Sequence, residues 1–205
     1  CAKRSKDTTM ASVGMNLAAV NYYSTQHPFI DRIKSASGWM AQGATGPVSL
    51  DSNGYPTAMP GAGSVLYTMV PIDPVSAGTN RNYVLTYEGK ANFRLMGASI
   101  VSSEPGRIVF KYADTANFAQ LKVTNIDPSA PVTSMSLVRE DQQALFAAGE
   151  TFNPAFIEKT TGYSTLRFMD WAATNHSTLT SWSERQTVED MSWTSGNGRD
   201  SVPIE

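Results

Sequence analysis

The hydrophobic positions of this 205-residue chain change rhythm along its length. From Ser64 to about residue 137 they come in short bursts: SVLYTMVPI, RNYVLTYEG, ANFRLMGASIV, GRIVFKYAD, FAQLKVTNID and VTSMSLVRE, separated by Gly, Pro, Asp and Asn. Bursts rich in β-branched and aromatic residues, with a turn signal every ~8–12 residues, predict an all-β sandwich or barrel. Within RIVFKYA, Ile108, Phe110 and Tyr112 fall on one face and Arg107, Val109 and Lys111 on the other. That alternation predicts a sheet with one solvated face.

The flanks read differently. Residues 1–12 are polar and charged and read as a tail. VGMNLAAVNYY predicts a short strand, and HPFIDRIKSASGW a helix, with Phe29, Ile30 and Ile33 at helical spacing and Pro28 near the first turn. Asn53-Gly54 in LDSNGYP is a turn signal; the same stretch echoes a calcium loop but lacks its remaining ligand positions. After Arg139, DQQALFAAG predicts a short helix ended by Gly149. NPAFIEKTTGY predicts a second, with Asn153 as N-cap, Pro154 at its first position and Gly162 near its close. STLRFMDW then reads as a strand before a long polar loop. Helix, strand and loop in that order open an α/β unit. The expected fold is therefore mainly β, an antiparallel, jelly-roll-like sandwich over residues 13–140, followed by the first helix–strand elements of an α/β layer over 141–205.

Composition narrows the partners. A formal net charge of −2 supplies no basic field, which argues against nucleic acid. No apolar run approaches the roughly 18–20 residues of a membrane span. The single cysteine, Cys1, excludes an internal disulfide and a cysteine-based zinc site, and the two histidines stand alone, so no metal or other cofactor is expected. Cys1-Ala2 before KRSKDTT resembles the mature start of a bacterial lipoprotein, with Cys1 as the lipid-attachment site and the membrane reached only through that anchor; the alternative is a fragment boundary. Nucleophile-elbow, phosphate-loop and dinucleotide-binding motifs are all missing from the sequence.

Several collinear segments carry a family resemblance: GMNLAAVNYYSTQHPFIDRIKSASGWM, LDSNGYP, YVLTYEGKANF, FNPAFIEKTTGYSTLRFMDW and TNHSTLTSWSER. From about Gly14 onward the chain resembles the N-terminal region of large secreted bacterial proteins described as cellulose-binding or glycoside-hydrolase-like. The resemblance implies a β-sandwich leading into a (β/α)₈ barrel, with LRFMDW as the first barrel strand and the chain ending inside the first β/α unit. It also implies a secreted or cell-surface protein, and an outer-membrane lipoprotein if Cys1 is lipidated.

Functional groups of barrel enzymes sit at the C-terminal ends of strands. Trp171 is placed to stack on a sugar ring, with Arg167 and Asp170 to bond hydroxyls and Asn175 in the loop beyond; the alternative is an Arg167–Asp170 ion pair beside a packed tryptophan. Alternation puts Arg167 and Asp170 on opposite faces, which weighs against a joint site. Trp39, Tyr55, Trp182 and Trp193 are further candidates for sugar platforms or for core; Trp182 and Trp193, among Ser and Thr, read as the more exposed. Glycoside hydrolysis needs two carboxylates across the scissile bond, and Asp170, Glu184, Glu189 and Asp190 form no convincing pair. No catalytic residue is assigned. The expectation is a non-catalytic, carbohydrate-associated module binding or presenting a polysaccharide or glycan. The alternative is a structural or interaction protein of a cell surface, appendage or virion, meeting other protein chains through its C-terminal region.

Overall fold

In the computed structural model, residues 13–74 and 81–194 are described. Cys1 and the residues after 194 lie outside them. β1 (Gly14–Asn16) stands apart from the strands that follow it: β2 (Met40–Gln42), β3 (Val65–Pro71), β4 (Asn82–Glu88), β5 (Ala91–Leu95), β6 (Ala98–Glu104), β7 (Arg107–Tyr112), β8 (Phe118–Ile126) and β9 (Ser134–Arg139). These eight form two antiparallel four-stranded sheets, ordered β2-β3-β8-β5 and β6-β7-β4-β9. The chain passes from one sheet to the other between β3 and β4, β4 and β5, β5 and β6, β7 and β8, and β8 and β9. One of these crossings turns at Gly89, whose φ of 104° and near contact with the Pro131 carbonyl leave no room for a Cβ.

Inner-facing residues of both sheets share one core. Leu66 and Val70 of β3, Phe93 of β5 and Leu121 of β8 meet Leu85 of β4, Phe110 of β7 and Leu137 of β9, all buried. Ile108, Phe110 and Tyr112 point inward as their alternation predicts. The opposite face is less solvated than expected. Val84 pairs with Val109 and Val138 in register, and this outer row is also buried. Along β9 runs the segment containing Phe29 to Ala36, which bridges Asp31 to Val138 and buries Ile33 and Ala36 against the sandwich core.

That segment is not the helix its spacing predicts. It makes a single 3-10 turn, Arg32–Ser35, because the backbone on its N-terminal side is committed to neighbours: the Ile30 N–H donates to Thr151 O (2.9 Å) and Asp31 bridges β9. The strand expected over 13–23 contracts to β1. The strand expected through LRFMDW contracts to β10 (Thr165–Arg167), because residues 168–174 coil into turns in which Ala172 N–H bonds Phe168 O and Thr174 N–H bonds Met169 O. β10 pairs with β1, in parallel, and not with either large sheet.

Two helices precede β10. α1 (Gln143–Ala147) stops before Gly149 at φ 86°, and α2 (Pro154–Thr161) begins with Asn153 accepting the Ala155 N–H (3.2 Å) and Pro154 in its first turn. A small cluster of Leu17, Val20, Phe29, Phe156, Trp171 and Trp193 joins this region to the chain's early segment. Residues 186–194 return as a strap over the sandwich: Met191 N–H donates to Asn53 O (2.8 Å), Trp193 N–H to Lys34 O (2.9 Å), and Met191 enters the main core.

Where these parts meet lies a buried polar hub. Arg32, 1% exposed, donates to both oxygens of Asp73 (2.8 and 3.1 Å), to Gln142 Oε1 (3.2 Å) and to Phe29 O. Gln142 Nε2 donates in turn to Asn153 Oδ1 (3.0 Å), and Asn153 Nδ2 to His27 O (3.1 Å). The Tyr83 hydroxyl donates to Asp73 Oδ2 (3.1 Å), and Arg139 stands 3.6 Å from the same oxygen. Removing one member of a buried, hydrogen-bonded ion pair leaves an uncompensated charge, at a cost of about 3–5 kcal/mol. Arg32→Met is expected to lose that much in urea denaturation, and Arg32→Lys, which keeps charge but not the planar fork, an intermediate amount. A loss of under about 1 kcal/mol for Arg32→Met would show the pair to be solvent-screened.

Candidate functional site

The sandwich carries a cleft on the outer face of β4 and β9. Its floor is polar: Thr86 and Ser136 hydroxyls share a hydrogen bond (2.6 Å), with Ser134 and Glu88 two pairs further along the register. Around it stand Phe29, Asp31, Lys34 and Trp193, with Phe146 of α1 and Glu150 and Thr151 beyond that helix. The cleft encloses about 460 Å³, within the range typical of small-molecule sites.

Local chain geometry places each wall. Asp31 sits at the N-cap of the 3-10 turn, and its Oδ1 accepts both the Ile33 N–H (3.0 Å) and the Leu137 N–H of β9 (2.9 Å). Among the described residues no hydrogen bond reaches its Oδ2. Burial pushes this carboxyl up to about 6, despite the two N–H donors and the nearby Lys34 and Arg32 charges. Lys34 extends the other way. Its ammonium donates to Val188 O (2.9 Å) and Asp190 O (2.7 Å) and lies 4.7 Å from the centre of the Trp193 ring. Burial holds its pKa below the usual lysine range.

The residues singled out from LRFMDW and its loop are placed separately. Trp171 is 5% exposed, packed against Phe29 (ring centres 5.7 Å apart) and Phe156 (5.6 Å), so a sugar could reach its ring only by displacing them. Arg167 and Asp170 are both exposed and form no ion pair with each other; Arg167 Nη2 lies 2.8 Å from Met169 Sδ. Asn175 is exposed in a 3-10 turn, Thr174–His176. Trp182 is 77% exposed, with the Arg185 guanidinium 3.4 Å from its ring centre, and Glu184 closes a capping box with Ser181. Of the five, it alone offers an accessible aromatic ring.

The expectation for Trp193 is overturned. It is 8% exposed, because its indole meets the edge of Phe29 (4.9 Å) and its Nε1 donates to Thr187 O (3.1 Å). Trp39 is half-buried, donates to Met191 Sδ (3.0 Å) and borders a second, smaller cleft with Asp51, Asn53 and Gln186. Tyr55 is core. Sequence reasoning missed Asp31, Glu88, Glu150 and Phe146. A buried Asp–Arg dipeptide within FIDRIK is the one signal that marks the first of them, since carboxylates enter cores only with partners.

His27, behind the hub, has neither ring nitrogen hydrogen-bonded, and burial takes its pKa down to about 4. Asp31 and His27 therefore oppose each other. The folded pKa of Asp31 is raised, so its contribution to stability is full below the unfolded value near 4 and is lost as pH rises through about 6. That of His27 is depressed, so its contribution is present above about 6.5 and is lost as pH falls through about 4. Each displacement is worth about 3 kcal/mol, so the two nearly cancel. Urea denaturation across this window is expected to show Asp31→Asn gaining stability with rising pH. His27→Asn, which tolerates the φ of 43° at this position, should lose it. Parallel profiles for the two variants would refute both displacements.

No protein-family model, curated protein or solved structure matches this chain, so the reading of the cleft rests on its own geometry.

Proposed function

We propose that the chain is a non-catalytic, carbohydrate-associated module of a secreted, glycoside-hydrolase-like protein, and that it binds or presents a polysaccharide. The observation that carries this reading is the make-up of the β4–β9 cleft. Sugars present a polar rim of hydroxyls and an apolar face of C–H bonds. Thr86, Ser134, Ser136 and Thr151 line the cleft with hydroxyls, Asp31, Glu88 and Glu150 with carboxylates, and Phe146 and Trp193 with aromatic surface. Trp182, exposed among Ser and Thr, is a second platform of the same kind. The jelly-roll-like description of the sandwich, and the reading of α2 and β10 as the opening of a barrel, belong to the same proposal. The parallel β1–β10 pair supports the latter, since parallel pairing is the rule in helix-and-strand barrels. A lipid anchor on Cys1 and an outer-membrane location would fit a surface-displayed module.

One observation favours the second reading, a structural or interaction protein without sugar chemistry. Leu145, Phe146, Phe152 and Ile157 are each 37–47% exposed across α1, α2 and the turn between them. Leu145, Phe152 and Ile157 line one shallow groove, and exposed apolar surface of this kind serves protein contacts.

The two readings part in experiment. Affinity electrophoresis through a polysaccharide panel, read with tryptophan fluorescence, is expected to show retardation by at least one glycan. Phe146→Ala should weaken it about tenfold, roughly 1.4 kcal/mol, and Trp182→Ala should not. The reverse pattern would move the site to the 174–185 loop, and no retardation by any polysaccharide would remove the sugar reading. For the second reading, sedimentation should show association that Ile157→Lys abolishes; a monomer at all concentrations, with no protein bound, would count against it.

A further inference from the structure

We infer that the chain pairs with a second copy of itself through β6, the open edge of the sheet β6-β7-β4-β9, as an antiparallel twofold dimer. A sheet edge presents unpaired amides, and proteins guard such edges with charge, proline, shortness or a covering segment. Three of the four edges here are guarded. β9 is bridged by Asp31, β2 is three residues long, and β5 is five residues long with Arg94 exposed along it. β6 is seven residues long, has neither proline nor charge from Ala98 to Ser103, and leaves Ile100 51% and Val101 57% exposed. Among the described residues only β7 pairs with it.

The ladder on the other side of β6 fixes which of its amides face out. Tyr112 N–H donates to Arg81 O and Tyr87 N–H to Gly106 O, so even-numbered residues of β7 turn their backbone bonds to β4 and odd-numbered ones to β6. Ala113 N–H, donating to Gly97 O, continues the second set. Lys111, Val109 and Arg107 pair with Ser99, Ser102 and Glu104, which leaves the amides and carbonyls of Ile100 and Ser103 pointing away from β7. An antiparallel second copy, with its twofold axis between Val101 and Ser102, sets Ile100 of each chain against Ser103 of the other. These are the pairs that can exchange hydrogen bonds. The bulge between Ile100 and Ser102 twists the edge, and a second copy brings the same twist to the contact.

Charge fits the same register and favours a second copy over a foreign strand. Ser99, which pairs with Lys111 in its own sheet, then faces Glu104 of the second copy. Lys111 and that carboxylate share one row on the outer face, about 10 Å apart at the backbone, with only a serine between them. Lys111 and Glu104 are both exposed and in no ion pair among the described residues; Arg107 flanks Glu104 from its own β7 without closing one. The twofold makes the contact twice, whereas an in-register parallel pairing would set Glu104 against Glu104. The dimer doubles the four-stranded sheet and stops there, because both of its ends are then β9, already bridged by Asp31.

The test is sedimentation velocity of the full chain over a range of concentrations. A monomer–dimer equilibrium is expected, with Val101→Lys monomeric and, by circular dichroism and urea denaturation, still folded. Lys111→Glu and Glu104→Lys should each weaken the dimer about tenfold. The double reversal Lys111→Glu/Glu104→Lys should restore most of it, since the row is then the same with its signs exchanged. A monomer at every concentration would overturn the inference. So would a dimer that Val101→Lys leaves intact, which would place the contact elsewhere, on the apolar surface of α1 and α2 if Ile157→Lys abolishes it. A dimer lost in Val101→Lys but indifferent to the charge reversals would overturn the register.

Discussion

A guanidinium cannot be buried without acceptors, and Arg32 is 1% exposed. Its acceptors come from the end of β3 through Asp73, from the turn after β9 through Gln142, and from the chain just before it through Phe29 O. Asn153, bonded to Gln142, adds the start of α2 and the His27 carbonyl. Four stretches of the chain are thus held to one point by a requirement of charge, not of hydrophobic area. Burial by itself would raise the Asp73 carboxyl, but Arg32, with His27 and Arg139, holds it below the ordinary carboxylate range. The arrangement is not fully satisfied, since Arg32 Nε finds no partner. An unmet buried donor costs about 1–3 kcal/mol, so the hub's role is better described as fixing which segments meet than as adding net stability.

The cleft follows from that fixing. With Arg32 pointing to the hub, the preceding residue faces β9 and Lys34 faces the strap. Strand β9 is the end member of its sheet, and an end strand exposes amides that can template unwanted pairing. Asp31 takes the Leu137 amide and bridges Val138, which closes this edge and builds one wall of the cleft in the same contact. Trp193, drawn down by its bond to Thr187 O and by Phe29, completes the wall, with the Lys34 ammonium above its ring. Edge protection and cleft formation are one structural event here.

What the sequence revealed tracks how local each determinant is. The strands β3 to β9 announce themselves because alternation and turn residues lie within a few positions of one another, as do the Asn153 cap, Pro154 and the Gly149 stop. Residues 13–36 did not, because their conformation is set by partners more than a hundred positions away: Thr151 for Ile30, Val138 for Asp31, Thr165 to Arg167 for β1. Helical spacing of Phe29, Ile30 and Ile33 marks burial correctly and element type wrongly. At LRFMDW the charge pattern was legible but the strand's end was not. Once the strand stops at Arg167, Trp171 turns into the Phe29–Phe156 cluster while Arg167 and Asp170 stay at the surface. Of the cleft, only its aromatic and hydroxyl content could be read from composition; its carboxylates are scattered over the turn, β4 and the loop after α1, and become neighbours only through the fold.

The same carboxylate that closes the sheet edge also makes stability depend on pH. Asp31 carries a desolvation cost that burial imposes on its charged form. A ligand that brought positive charge near this carboxylate would favour the charged form and pull the pKa back down. By linkage, a ligand that binds only the folded, ionised state stabilises that state in proportion to its occupancy. The stabilisation should then be largest above about 6, where no proton has to be displaced. A neutral ligand held by the hydroxyls and Phe146 alone leaves the Asp31 titration nearly where it was. The pH dependence of ligand-induced stabilisation therefore reports which chemistry occupies the cleft. It does so through a residue whose first task, capping the amide of Leu137, is purely structural.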